Sequence, residues 1–310
     1  MAKKIGLLYG LERTFPGALA EEVRRQTGGK VACEPVLTGA LRVDRRLLYD
    51  VILDRISHEV PFYRTLLKQA AMQGTQVVNN PFWFSADDKY FGCLVAIQQG
   101  VGVPRTILLP HKDQPPNTKS DSFSNLRFPL EWEELFSYLG FPIYLKPAYG
   151  GGWKHVYKVH DPVEFFEAYH KTGDLCMMAQ ESIEFSEYYR CYVIGRERVH
   201  LMRYDPRAAF HERYVRNAPP VDRALSERME RDCVALCGAL GYDFNTVELA
   251  VREGVPYAID FTNPCPDCDP PSVGDENFEW VLKAAAELLI RRAKEPRQVE
   301  LTGHWAENAR

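Results

Sequence analysis

The chain has 310 residues, about 45% apolar and about a quarter charged, with a formal net charge of −4. That length exceeds what one hydrophobic core usually supports, so more than one domain is expected, and the composition is that of a folded chain rather than a disordered one. A mildly acidic chain lacks the broad basic footprint of a nucleic-acid binder, and MAKKIGLLYG is too briefly apolar for a signal-peptide core or membrane span, which predicts a cytoplasmic protein with no membrane partner.

KIGLLYG reads as a strand, FPGALAEEVRRQ as a helix, KVACEPVL and YDVILDRIS as strands, FYRTLLKQAAMQG as a helix and TQVVN as a short strand. Strands separated by helices predict a parallel sheet, so residues 1–85 are expected to form an N-terminal α/β domain. From Ala86, DDKYFGCLVAIQQG has a helical period running from an acidic cap to Gly100, and VPRTILLP follows as a strand. Residues 111–127, rich in Lys, Asp, Pro, Asn and Ser, read as a long exposed loop, with a lid role open.

LEWEELFSYLG is a predicted helix, FPIYLKPA a strand running into three glycines, WKHVYKV a strand, and DPVEFFEAYHKTG a helix capped by Asp161 with Pro162 at its first position. This gives a small α+β unit over residues 86–185. Residues 186–310 then supply the hairpin YYRCYVIG with RVHLMRYDP, the helix LSERMERDCVALCGALG, the hairpin NTVELAV with VPYAIDF, and the closing helix FEWVLKAAAELLIRRAKE. The apolar stripe of that last helix reads as core and leaves a homodimer open. There is no internal repeat or low-complexity tract.

Chemistry concentrates in the last hairpin. A turn at Glu253-Gly254 places Glu248 across from Asp260 within one residue of register. Like charges opposed in a sheet repel unless a cation lies between them, and oxygen ligands with water completing the shell suit Mg2+ bound together with phosphates. Asn263, just past the strand, is a third candidate oxygen; the competing reading is a solvated edge with ordinary surface acids. At the other end of the pattern, Lys146 closes an apolar strand where a lysine is costly without an anion, and Gly150, Gly151 and Gly152 can bring backbone amides close to phosphate oxygens. The competing reading there is a flexible turn beside a snorkelling lysine.

Among the cysteines, Cys33, Cys93, Cys176 and Cys191 lie in apolar runs and read as core. Cys233 and Cys237 are a helical turn apart, and Cys265 and Cys268 form a CxxC; the two pairs would make a zinc site only if the fold joined them, and separate packing roles are expected.

The order of these residues resembles the ATP-grasp superfamily, which includes D-alanine:D-alanine ligase, glutathione synthetase and the RimK-type ligases. The resemblance covers roughly Ala86 to Pro264. It implies an ATP-grasp fold, mixed α/β and α+β, with the N-terminal parallel-sheet domain that precedes the grasp. It also implies ATP with Mg2+ or Mn2+ as cofactors. Asp88-Lys89 before GVPRT resembles the family's phosphate lysine, and Lys146 its second. AQESIEFSE resembles the hinge that pairs with adenine, implying Gln180, Glu181, Ser182 and Ile183; Glu187 matches the acid on the ribose. Arg190 and Arg203 resemble arginines beside the nucleotide, and Arg213 in FHERY resembles the cation facing the transferred phosphoryl group. Glu248, Asp260 and Asn263 match the metal ligands.

Two departures stand out. Asp260 and Asn263 are three residues apart, so straight period-2 geometry sends them to opposite faces unless a bulge lies near Thr262. Thr246 stands where the peptide-forming members carry an arginine, so another cation, such as Arg203, Arg213 or Arg216, would have to serve. The expected activity is a ligase that makes an acyl phosphate from a small-molecule carboxylate and ATP, then joins it to an amine or thiol. A small-molecule kinase and a non-catalytic ATP-binding module are the alternatives. Arg55 and His58, at the end of YDVILDRIS, are candidate substrate contacts, with a structural ion pair as the other role for Arg55.

Overall fold

The computed structural model describes residues 2–83, 88–295 and 300–301. The first part is a parallel sheet of β1 (Lys3–Leu8), β2 (Val31–Pro35), β3 (Val51–Asp54) and β4 (Gln76–Val78), in the order β2-β1-β3-β4, with α1 (Thr14–Thr27) and α2 (Pro61–Met72) as crossovers. Four-residue strands such as VILD are buried along their whole length, which is why they read as continuous apolar runs. The expected boundary at residues 85 and 86 lies outside the described residues.

The chain continues through α3 (Lys89–Gln98) and β5 (Thr106–Leu109). It then forms α4 (Trp132–Leu139), β6 (Ile143–Pro147), β7 (Tyr157–Val159), α5 (Pro162–Tyr169) and β8 (Met177–Glu181). Strands β5 to β8 form an antiparallel sheet in the order β5-β8-β6-β7. Its apolar face is sealed by Trp132, Phe136, Phe165 and Tyr169 of α4 and α5. Helix α5 starts as its sequence dictates: the Asp161 carboxylate accepts from the Glu164 backbone N–H, and Pro162 fills the first turn. Strand β7 is shorter than WKHVYKV suggested, because Trp153 and His155 sit at positive φ and keep that stretch out of the sheet.

A second antiparallel sheet, β10-β9-β11-β12, is built from β9 (Glu187–Ile194), β10 (Arg198–Arg203), β11 (Phe244–Arg252) and β12 (Val255–Asn263). Helix α6 (Arg223–Leu240) covers one face, and short α7 (Pro270–Val273) leads into α8 (Asp275–Lys294) on the other.

The three sheets draw on separate stretches of chain, and two helices pack across more than one of them. Helix α3 packs with α6 and β12 through Cys93 and Ala96, and α8 packs against α1, β1 and β3 as well as β9. The reason for the second is compositional: α8 carries Ala284, Ala285 and Ala286, small and buried at three consecutive positions and so on more than one side of the helix. Buried Asn79, just past β4, adds a polar tie: its Oδ1 accepts from the backbone N–H groups of Asp243 and Phe244 at 2.7 Å each.

Cys233 and Cys237 are buried in the α6 core, whereas Cys265 and Cys268 lie beside Arg55; all eight cysteines are free thiols. The 111–127 loop docks on the α5–β8 turn, where the Lys112 and Asp113 backbone N–H groups donate to Gly173 O and His111 packs on Phe123. None of its residues lines the cleft described below. No helix of the described residues is long and apolar enough to cross a membrane.

Candidate active site

The two antiparallel sheets face one another across a cleft of about 510 Å³. On the first sheet, Lys89 opens α3 after the Asp88 cap, whose carboxylate accepts from the Phe91 N–H at 2.8 Å. The Lys89 backbone N–H donates to Ala148 O at 2.8 Å and its Nζ to Gly150 O at 2.7 Å, so the helix start is tied to the end of β6 and to the glycine loop. Gly150 and Gly152 have φ of 91° and 71°, which suits only glycine at low cost, and all three glycines line the cleft.

Lys146 points from β6 into the floor of the cleft, with Nζ 3.3 Å from Ile259 O. Burial pushes its pKa down, and nearby Asp260 works against that. A half-buried ammonium with one carbonyl partner is suited to receive an anion. The two lysines thus line the same cleft. Residues Gln180, Glu181, Ser182 and Ile183 line the same cleft as β8 leaves its sheet. The Gln180 side chain is turned inward, donating to Thr106 Oγ1 at 2.9 Å. Glu181 accepts from Arg105 Nε at 3.0 Å and Arg252 Nη1 at 2.8 Å. Burial alone would raise the Glu181 pKa; the two arginines outweigh it and hold the carboxyl down at about 2.

On the second sheet, Glu248 of β11 pairs in register with Asp260 of β12. The next matched pair is Thr246 with Asn263: two steps on β11 against three on β12. This is a β-bulge, and it returns Asn263 to the face of Asp260. Buried Asn245 stabilises it from behind, donating from Nδ2 to Phe261 O and accepting on Oδ1 from the Asn263 N–H, both at 2.7 Å. Burial pushes the Glu248 pKa up; Arg190 opposes this and Asp260 adds to it, while the Tyr188 hydroxyl, donating at 2.6 Å, lowers it. Two carboxylates facing one another in register fit a divalent cation. Glu248, Asp260 and Asn263 supply hard oxygens, and the rest of an octahedral shell would come from water and phosphate. Among the described residues no group of three His, Cys, Asp or Glu side chains has metal-binding geometry, so a cation here depends on the amide and on such outside oxygens.

Arg190 is directly opposite Glu248 on β9, with Nε 3.5 Å from Glu248 Oε1. In the amide orientation that satisfies its neighbours, Asn263 Oδ1 accepts from Arg190 Nη2 at 2.9 Å and from Thr246 Oγ1 at 3.1 Å. A cation therefore stands beside the Thr246 position, and it is Arg190.

Several expected residues fall elsewhere. Arg190 and Asn263, beside Glu248 and Thr246, do not themselves line the cleft, and neither do Glu187 and Arg203, which pair with each other at 2.7 Å on the α6 face, where Arg203 also lies over Tyr189. Strand alternation explains this, because Glu187 is an odd number of residues from Arg190 and Arg203 is in register with Tyr189. Arg213 sits at the mouth, donating from Nε to Ala208 O at 3.3 Å and lying over Trp153 of the glycine loop at 5.9 Å. Arg55 does not face a substrate space: its side chain is 3% exposed and makes a forked pair with Glu12 at 2.5 and 2.7 Å. His58 is half-buried beside Glu59, and burial pushes its pKa down. Sequence reasoning passed over Tyr144, Trp153, Phe185, Tyr188 and Arg207, all of which line the cleft. Only Tyr188 carried a signal, being two residues from Arg190 on one strand face.

The chain has the ATP-grasp fold. The solved structure of D-alanine–D-alanine ligase from Bacillus anthracis, complexed with ATP, is similar over 94% of this chain and 97% of its own, with a TM-score of 0.65 and 16% identity. A RimK domain ATP-grasp protein from Sphaerobacter thermophilus gives 0.65 and 17% over 93% of this chain and 99% of its own. The ATP-grasp ligase PsnB, complexed with a precursor variant, Mg and ADP, gives 0.66 and 12% over 94% and 99%. No family model and no curated protein matches the sequence.

Proposed function

We propose that the chain is an ATP-dependent ligase that uses Mg2+ (or Mn2+) to join a small-molecule carboxylate to an amine or thiol. The observation that carries this reading is the convergence of Lys89 and Lys146 on the Glu248–Asp260 pair within one cleft. Adenine recognition alone needs neither the half-buried lysine nor the opposed acids.

In this reading the backbone of residues 180–183 meets the base, and the glycine loop amides and the two lysines neutralise phosphate charge. Glu248 and Asp260, with Asn263 Oδ1 once it releases Thr246 or Arg190, would hold a divalent ion, whose charge would screen the phosphate oxygens. The substrate carboxylate attacks the γ-phosphorus and the bond to the β-bridging oxygen breaks, giving acyl phosphate and ADP. The amine or thiol then adds to the acyl carbon and phosphate leaves. Positioning and charge neutralisation dominate such a transfer, so no protein nucleophile is required. Arg190, held by Glu248, Asn263 and Tyr214, supplies the cation for negative charge developing on the acyl oxygen. It fills the role left open by Thr246 and favours the ligase over the kinase.

The test is product mass after incubation with Mg-ATP and pools of amino acids, dipeptides and hydroxy or dicarboxylic acids, with Asp260→Asn as control. A condensation product dependent on Asp260 is expected; a product heavier by one phosphate would replace the ligase with a kinase. Tight Mg-ATP binding with no turnover in any pool would favour the binding module.

A further inference from the structure

Resting on the reading of Glu248, Asp260 and Asn263 as the metal end of the site, we infer that Arg55 is a positioning residue for that end. It acts by fixing the loop that follows Asn263. The Arg55 backbone N–H donates to Leu8 O at 2.8 Å, which anchors it at the carboxyl end of the parallel sheet. Its guanidinium lies over Phe15 at 4.8 Å and Phe244 at 5.3 Å and pairs in two bonds with Glu12. Glu12 alone would satisfy its charge. Nη2 nevertheless makes a further bond, at 2.7 Å, to Pro266 O in the loop between β12 and α7.

The carbonyls on either side of Pro266 are held as well. Cys265 O accepts from Asn263 Nδ2 at 3.3 Å, and Asp267 O accepts from the Tyr192 hydroxyl. The Cys265 thiol in turn donates to Arg55 O at 3.2 Å. Three successive carbonyls are thus fixed by side chains from β12, from the end of β3 and from β9. The first of those side chains is Asn263 itself, so the loop and the Asn263 amide hold each other in place. Removing Arg55 frees the middle carbonyl and leaves Glu12 half-buried without its partner, and the orientation of Asn263 loosens with the loop. A lysine cannot make the planar fork to Glu12 and reach Pro266 O at once.

The experiment is calorimetric binding of ADP to the full chain, as a function of Mg2+ and in EDTA, for Arg55→Lys, Tyr192→Phe and Glu248→Gln. Groups that orient metal ligands typically matter by about 10–100-fold in metal affinity. Arg55→Lys is expected to raise the Mg2+ concentration for half-maximal enhancement of ADP binding by about tenfold, with ADP affinity in EDTA unchanged. Tyr192→Phe, which frees the neighbouring carbonyl and the Cys268 thiol and keeps the Arg55–Glu12 pair, should move it in the same direction by a smaller factor. An unchanged Mg2+ requirement in a folded Arg55→Lys chain overturns the proposal, as does an equal loss of ADP affinity with and without Mg2+, which marks a general structural role. If Arg55→Lys does not fold, an unchanged Mg2+ requirement in Tyr192→Phe overturns it. Failure of the metal reading is seen separately: Glu248→Gln would then leave the Mg2+ dependence untouched.

Discussion

Replacing Glu181 with glutamine keeps the size of the side chain and removes the charge that two arginines share. Glu181 ends β8 on one sheet, Arg252 ends β11 on the other, and Arg105 precedes β5, so the triad bridges the two walls of the cleft. The carboxyl falls from its ordinary value of 4.5 to about 2, which corresponds to about 3 kcal/mol at ~1.4 kcal/mol per unit. The arginine side chains are 46% and 34% exposed, so solvent screening reduces this to roughly 1–2 kcal/mol. A depressed carboxyl contributes its stability in full above the unfolded pKa and loses it as pH falls through the folded one. The gap between wild-type and Glu181→Gln should therefore be roughly 1–2 kcal/mol near neutrality and narrow as pH falls from 4.5 toward 2. Urea unfolding at neutral pH and at a series of acid pH values measures it. No gap at neutral pH, or a gap that stays constant into acid, would refute the bridge.

Other substitutions separate the parts of the site. Lys146→Met fills the same space without charge and should weaken ATP binding by about 10–100-fold, the worth of a charge-assisted bond, while adenosine binding, read by calorimetry, stays as it was. Tyr188→Phe removes the hydroxyl that lowers the Glu248 pKa, so protons compete better and the pH midpoint for Mg2+-enhanced ADP binding should move up. Asn79→Ala orphans two buried backbone N–H groups at the start of β11 and should cost about 2–4 kcal/mol in urea unfolding.

The order of elements was legible because each is announced locally: Asp161-Pro162 starts α5, Asp88 caps α3, and short apolar runs mark the parallel strands. The opposition of Glu248 and Asp260 followed from one tight turn at Glu253-Gly254. The sequence named a bulge near Thr262 as one condition for Asn263 to face Asp260, but what holds the bulge was not legible: Asn245 has a strand position that gives no sign that both its amide groups serve the neighbouring backbone. Glu187 and Arg203 were readable from strand alternation, but motif order pointed the other way. Arg55 depends on Glu12 and on Pro266, distant in sequence, and no local pattern carries a contact of that range.

The most direct test of the account is calorimetric titration of ADP into the wild-type chain and Asp260→Asn, each with Mg2+ and with EDTA. The account predicts that wild-type binds more tightly with Mg2+, and that Asp260→Asn keeps the EDTA affinity and loses the Mg2+ enhancement. Failure of the wild-type chain to bind ADP, or an Mg2+ enhancement that survives Asp260→Asn intact, would contradict it.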